Sequence, residues 1–93
     1  MIIKELVRIN KRFSSGKIIN TSSLEFAESA AKKTKNWQEQ MAYVLRAIVS
    51  DHAFEDGNKR TAAAYLAGVL ENYKIPYDPF KIDKTVLTIA KST

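Results

Sequence analysis

The chain has 93 residues, a net charge of +5 and no cysteine, so disulfides, thiol catalysis and thiolate zinc sites are excluded. A chain of this length is expected to fold as one domain, residues 1–93, and a hydrophobic content of 45% excludes a disordered tail. No apolar run reaches the roughly 20 residues that a membrane span needs. We therefore expect no membrane contact, and the absence of cysteine fits a cytoplasmic location. The lysines are spread along the chain, so we expect a solvated surface.

Helical periodicity marks the beginning of the chain. Ile2, Leu6 and Ile9 recur at three- and four-residue steps, which predicts one face of a first helix. Ser14 and Gly16 are expected to end it. The next four residues contain two β-branched isoleucines and are predicted to be extended, either as a connector or as a flap whose backbone pairs with another chain. This stretch consists of Lys17, Ile18, Ile19 and Asn20.

Two capping signals predict the second and third helices. Ser22 with Glu25, and Asn36 with Glu39, have the spacing in which a capping side chain and a glutamate satisfy the first N–H groups of a helix. The third helix carries a wide apolar stripe and is expected to be well buried up to about residue 51.

The second half of the chain also has helical patterns, so the predicted fold class is an all-α helical bundle. The fourth helix should begin near Asn58, and its Gly68 would be explained by close packing against a neighbour. Pro76 and Pro79 are expected to end it and to bend the chain. Asp83 is predicted to cap a last short helix.

The loop between the predicted third and fourth helices has the sequence HAFEDGNKR, residues 52–60. The start of a helix has unpaired N–H groups and a partial positive charge, so it attracts anions. Gly57 allows the backbone to approach a ligand closely. Asn58 can donate an amide N–H, Lys59 adds a charge, and Arg60 can grip two phosphate oxygens. The loop is therefore predicted to form a phosphate cradle, with a spacing unlike that of a Walker A loop.

Carboxylates precede this cradle. Mg²⁺ is commonly held between a carboxylate and the phosphates of a nucleotide, and Asp56, next to the turn, is a better candidate ligand than Glu55. The glycine is out of register for a calcium loop of the EF-hand type, and one histidine without cysteine argues against zinc.

His52 is the one histidine of the chain. An imidazole can accept a proton from a hydroxyl at neutral pH, so a histidine facing a phosphate cradle suggests transfer of a phosphorus-containing group to a hydroxyl. The alternative is a histidine that caps the end of the third helix. Phe54 is expected to point inward and to anchor the loop.

The loop resembles the active-site motif of the Fic/Doc (Fido) family, His-x-Phe-x-(Asp/Glu)-Gly-Asn-x-(Arg/Lys). The flanking helical stripes and the stretch from Leu24 extend the resemblance over most of the chain. The residues that match the motif are His52, Phe54, Asp56, Gly57, Asn58 and Arg60.

The resemblance implies a helical bundle of the Fic/Doc type, with the active-site loop between two central helices, and a transferase that uses ATP and Mg²⁺. Family members usually transfer AMP to a Ser, Thr or Tyr hydroxyl of a target protein, whereas the Doc branch transfers the terminal phosphate. His52 would be the base, Asp56 the Mg²⁺ ligand, and Gly57, Asn58 and Arg60 the phosphate site. Residues 17–20 would be the flap that aligns the target.

Departures from the family pattern separate the two reactions. Lys59 stands where AMP-transferring members usually have glycine, and Ala63 stands where they usually have a second arginine. Both departures favour the Doc-like phosphoryl transfer, in which the nucleotide binds in the reverse sense, but Gly57 is typical of AMP transfer. Both reactions therefore stay open.

The resemblance also bears on regulation and on the alternatives. Glu25 lacks the surroundings of the family's inhibitory glutamate, so an inhibitor would be a separate antitoxin-like partner of a toxin. The alternative functions are a degenerate member that binds nucleotide without turnover and a nucleic-acid-binding module. The absence of a basic stripe makes nucleic acid the weaker candidate.

Overall fold

The computed structural model describes residues 2–91, and within them the chain forms five α-helices and no strand. The prediction of an all-α fold is confirmed. None of these helices is long and apolar enough to cross a membrane. The helices are α1 (Ile2–Asn10), α2 (Thr21–Lys33), α3 (Trp37–Val49), α4 (Asn58–Asn72) and α5 (Pro79–Lys91).

The core is built from apolar side chains of all five helices, and α3 supplies its centre. Val44 and Ile48 of α3 are almost completely buried, and Leu6, Leu24 and Val86 close around them from α1, α2 and α5. Burial of this kind stabilises the fold by roughly 1.5–3 kcal/mol for each large aliphatic side chain. The helices on either side of the loop 50–57 are therefore firmly positioned.

Capping residues explain where two of the helices start. The Asn36 side chain accepts the N–H groups of Gln38 at 2.9 Å and Glu39 at 3.2 Å, as predicted for α3. The predicted cap of α2 is wrong by two residues, because Asn20, not Ser22, accepts the N–H of Ser23 at 3.3 Å. Asn20 is thus both the last residue of the predicted flap and a helix cap.

The predictions for the second half of the chain need three corrections. The predicted cap Asp83 lies inside α5, and the cap is Asp78, whose carboxylate accepts the Phe80 N–H at 2.9 Å. Pro79 therefore begins a helix, a position where its missing N–H costs nothing. The explanation of Gly68 by close packing is also wrong, since within residues 2–91 no atom of another helix or loop lies within 4 Å of the position that its Cβ would occupy.

The predicted flap is joined to the loop after α3 by a short antiparallel bridge. Ile18 pairs with Phe54, the N–H of Ile19 donates to the Ala53 carbonyl at 2.8 Å, and that of Glu55 donates to the Lys17 carbonyl at 3.0 Å. In such a pair the N–H and carbonyl of Ile18 point away from the loop, and neither has a partner within residues 2–91. This edge of the backbone is available for pairing with another chain.

Candidate active site

The end of α3 exposes His52. The N–H groups of Ser50 and Asp51 both donate to the Arg46 carbonyl, at 2.9 and 3.1 Å, and that of Ala53 donates to the Ile48 carbonyl at 3.3 Å. His52 between them adopts the left-handed conformation with φ 52°. Histidine tolerates this conformation better than a bulky or branched residue does. Its imidazole makes no hydrogen bond to any residue of the described chain and is open to solvent.

Phe54 and Asn58 hold the loop closed. The Phe54 ring is completely buried, in agreement with its expected inward direction. The Asn58 side chain accepts the Phe54 N–H at 2.9 Å and donates to the Phe54 carbonyl at 2.8 Å. The oxygen and one N–H of the Asn58 amide are therefore used inside the loop, a role that the sequence did not predict. One amide N–H is left for a ligand.

The start of α4 has free N–H groups. Gly57 is its N-cap, with φ 73°, and no side chain caps this helix. No acceptor within residues 2–91 receives the backbone N–H of residues 57–60. A Cβ on Gly57 would lie 3.2 Å from Nδ2 of Asn10, so glycine is required for its conformation and favoured by space. This helix end can receive an anion.

Asn10, at the end of α1, is a buried polar residue that the sequence analysis did not identify. It is fully buried, and its Nδ2 donates to the Asp56 carbonyl at 2.9 Å and to Oγ1 of Thr61 at 3.0 Å. Its Oδ1 accepts the Gly16 N–H at 2.9 Å. In sequence, it is one polar residue at the edge of an apolar stripe, and nothing local separates it from an ordinary helix end.

A cavity of about 520 Å³ collects the residues of the predicted cradle around His52. The predicted flap does not line it. The imidazole and the free start of α4 therefore face the same space. The lining residues are Phe13, Val49, His52, Glu55, Asp56, Gly57, Asn58, Lys59 and Arg60.

A second cavity, of about 560 Å³, lies between α4 and α5. Phe13, Lys59 and Arg60 line both cavities and so lie at their junction. Beyond this junction the walls are mostly apolar, and Asp83 is the single carboxylate among them. The remaining lining residues are Ala63, Ala64, Ala67, Tyr77, Pro79, Ile82, Asp83, Val86 and Leu87.

Comparison with known proteins identifies the family. A family model described as the Fic/DOC family matches residues 9–70. The chain belongs to the Fic/DOC family. Neither a search of curated proteins nor a search of solved structures found a match. Fic/DOC proteins are generally transferases, use ATP and often Mg²⁺, and often pair with an antitoxin.

The Fic/DOC match covers the loop and all but the end of α4, but not α5. One wall of the apolar cavity, from Pro79 to Leu87, therefore lies outside the part of the chain that resembles the family. The loop 52–60 lies within the matched residues, whereas this wall lies outside them.

The carboxylates of the site suit Mg²⁺. The side chains of Asp56 and Glu55 are exposed at the cavity, and neither has an ion-pair or hydrogen-bond partner within residues 2–91. No group of three or more potential ligands among His, Cys, Asp and Glu occurs in this part of the chain, so no protein cage for a metal is present. Mg²⁺ does not need such a cage of protein ligands, because it is usually bound by one or two carboxylates together with phosphates and water.

Proposed function

We propose that this Fic/DOC protein transfers the terminal phosphoryl group of ATP, or of another nucleoside triphosphate, to a Ser, Thr or Tyr hydroxyl of a target protein. The observation that carries the proposal is the position of the apolar cavity. It adjoins the phosphate cavity at Lys59 and Arg60, and it does not include His52. A nucleobase bound in the apolar cavity directs the terminal phosphate of the nucleotide toward the His52 imidazole.

The apolar cavity has the character of a nucleobase site. A volume of about 560 Å³ is within the usual range for small-molecule sites, and the aromatic rings of Phe13 and Tyr77 can contact a flat heterocycle. Ala63 supports this arrangement, because an arginine there would bring a cation and a long side chain into the space. The three alanines on this face of α4 leave room for the ligand.

In the proposed reaction, a hydroxyl of the target loses its proton to an imidazole nitrogen of His52. The hydroxyl oxygen forms a bond to the terminal phosphorus. The bond from that phosphorus to the bridging oxygen breaks, and the nucleoside diphosphate leaves. The free N–H groups at the start of α4 and the Arg60 guanidinium stabilise the negative charge on the phosphates.

Mg²⁺, held by Asp56 with Glu55 beside it, would neutralise phosphate charge in this site. Lys59 is exposed at the junction of the two cavities and adds a positive charge to the phosphate path. The remaining N–H of the Asn58 amide can donate to a phosphate oxygen. These residues bind and orient the nucleotide, while His52 handles the proton.

The flap, Lys17, Ile18, Ile19 and Asn20, is proposed to align the target. The unpaired N–H and carbonyl of Ile18 allow an extended segment to add as a strand, which is a common mode of peptide recognition. Because the N–H groups of Ile19 and Asn20 donate to the Ala53 carbonyl, the flap is fixed beside the residue that follows His52, and a segment added at its outer edge lies one strand further from that residue. The backbone of the flap then binds the target segment, and the hydroxyl of that segment is presented to His52.

The wider setting is proposed at the level of the family. We propose that residues 1–93 act as one domain in the cytoplasm, as a toxin restrained by an antitoxin-like partner. Glu25 is exposed on α2 and lines neither cavity, so it offers no internal inhibitor. Transfer of AMP is the second candidate, and Gly57 favours it.

The two reactions are separated by the position of the label. The protein, Mg²⁺ and ATP labelled on either the alpha or the terminal phosphate are incubated with a lysate, and His52→Ala is the control. We expect transfer of the terminal label alone and none with the variant. Transfer of the alpha label would replace the proposal by AMP transfer. Nucleotide binding without any transfer would indicate a degenerate member.

A further inference from the structure

We infer that Asn10 is a positioning residue for the phosphate cradle, an inference that rests on the proposed function. The residue lies on α1 and lines neither cavity. Its side-chain amide nevertheless joins three segments of the site: the Asp56 carbonyl in the loop, the Thr61 hydroxyl in the first turn of α4, and the Gly16 N–H before the flap. Both N–H groups and the oxygen of this amide are used, and the side chain is fully buried.

The bond to Asp56 determines the direction of the peptide between Asp56 and Gly57. In a trans peptide the carbonyl and the N–H point to opposite sides, and no cis peptide occurs in the described chain. With the carbonyl bound to Asn10, the N–H of Gly57 points away from α1 and has no acceptor within residues 2–91. If this peptide rotated, a carbonyl oxygen would take the place of a donor and would repel a phosphate.

The bond to Thr61 fixes the first turn of α4 in the same frame. Thr61 is fully buried, and its N–H donates to the Gly57 carbonyl at 2.9 Å. Asn10 therefore holds both the residue before Gly57 and the helical turn that Gly57 starts. The Asn10 side chain thus orients several N–H groups at the start of α4 without contacting the ligand itself.

Asn10→Asp tests this role, because a carboxylate keeps the size and the acceptor for Gly16 but loses both donors. The matched control is Asn72→Asp, on the exposed end of α4. Affinity for inorganic pyrophosphate with Mg²⁺ is measured by calorimetry on the full chain, at a temperature where circular dichroism shows each variant folded. We expect roughly tenfold weaker binding for Asn10→Asp, the effect of misdirecting one donor to a charged group, and no change for Asn72→Asp.

A second measurement needs no variant and so does not depend on folding of Asn10→Asp. In the nitrogen–proton correlation spectrum of the native chain, both Nδ2 protons of Asn10 should shift together with the Gly57 amide as pyrophosphate is added. The Gly68 amide, on the exposed side of α4, is the internal reference and should not move.

The outcomes separate this inference from the proposed function. Equal affinity of folded Asn10→Asp and the native chain, or Asn10 protons that stay still while the Gly57 amide shifts, would overturn the positioning role and leave the transferase proposal intact. A native chain that does not bind pyrophosphate would overturn both. In the transfer assay, a positioning role also predicts a raised KM for the nucleotide with a smaller change in kcat, which general destabilisation alone would not produce.

Discussion

Asn58 binds both the N–H and the carbonyl of Phe54, at 2.9 and 2.8 Å, although the two residues are only four positions apart in sequence. The buried Phe54 ring anchors the same loop in the hydrophobic core. The asparagine of the motif therefore has a structural task before any ligand arrives, and the free start of α4 depends on it.

Replacing Asn58 should destabilise the protein as well as the site. Asn58→Ala leaves the N–H and carbonyl of Phe54 without partners in a partly buried loop, and we expect a loss of about 1–3 kcal/mol in the free energy of unfolding. Chemical denaturation measures it, with Asn72→Ala on the exposed end of the same helix as the control. If both variants unfold at the same denaturant concentration, the two hydrogen bonds between Asn58 and Phe54 contribute nothing to stability.

His52→Gly should separate stability from function. His52 and Lys74 are the two non-glycine residues of the described chain with positive φ, 52° and 58°. Glycine relieves the strain of this conformation. The variants His52→Gly and Lys74→Gly should therefore each be as stable as the native chain or more stable by up to about 1 kcal/mol. Transfer of labelled phosphate should disappear with His52→Gly and persist with Lys74→Gly. Activity that survives the first variant would exclude His52 as the base.

The apolar cavity can be narrowed without touching the cradle. Ala67→Leu adds a branched side chain to a wall that the phosphate cavity does not share. We expect roughly tenfold weaker binding of ATP and unchanged binding of pyrophosphate, because only the base is displaced. Calorimetry with both ligands measures this, and Ala42→Leu on the exposed face of α3 is the control. An equal loss of affinity for ATP and for pyrophosphate would mean that the nucleobase binds outside the apolar cavity.

Gly68→Ala should stabilise the protein. The position is exposed within α4 and nothing lies near the added methyl group, so the helix propensity of alanine acts without a steric cost. The expected gain in the free energy of unfolding is about 1 kcal/mol. A thermal or chemical unfolding curve that does not shift upward would mean that the helix propensity of residue 68 does not limit the stability of this fold.

Tyr65 makes stability sensitive to alkaline pH. Burial, with a smaller effect of the Glu5 charge, raises the pKa of Tyr65 above the usual 10.0. The neutral phenol is thus favoured in the folded state. The contribution of Tyr65 to the free energy of unfolding is therefore complete below pH 10, and it is lost as the pH rises through the higher pKa of the folded state. Melting temperatures between about pH 9 and 11 should fall less steeply for Tyr65→Phe. Parallel curves would show that another group causes the alkaline loss.

The elements that sequence predicted well depend on local signals. Asn36 caps α3 because side chain and helix start are neighbours in sequence, and the loop motif is contiguous in the same way. The Asp78–Pro79 pair carries an equally local signal for a helix start, but a proline that follows a helical stretch is equally typical of a helix end. Asn10 could not be found in this way, because its partners Asp56 and Thr61 are distant in sequence and only folding brings them together.

The hydrogen bonds of the site differ greatly in the length of chain they close. Phe54 and Asn58 are four residues apart, whereas Asn10 and Asp56 are separated by 46. Closing the longer loop costs more chain entropy and is expected to occur later in folding. A chain in which α1 has not yet docked can thus have a closed motif loop but an unoriented helix start. Competence to bind a nucleotide would then require docking of α1 in addition to closure of the motif loop, which would keep incomplete molecules inactive.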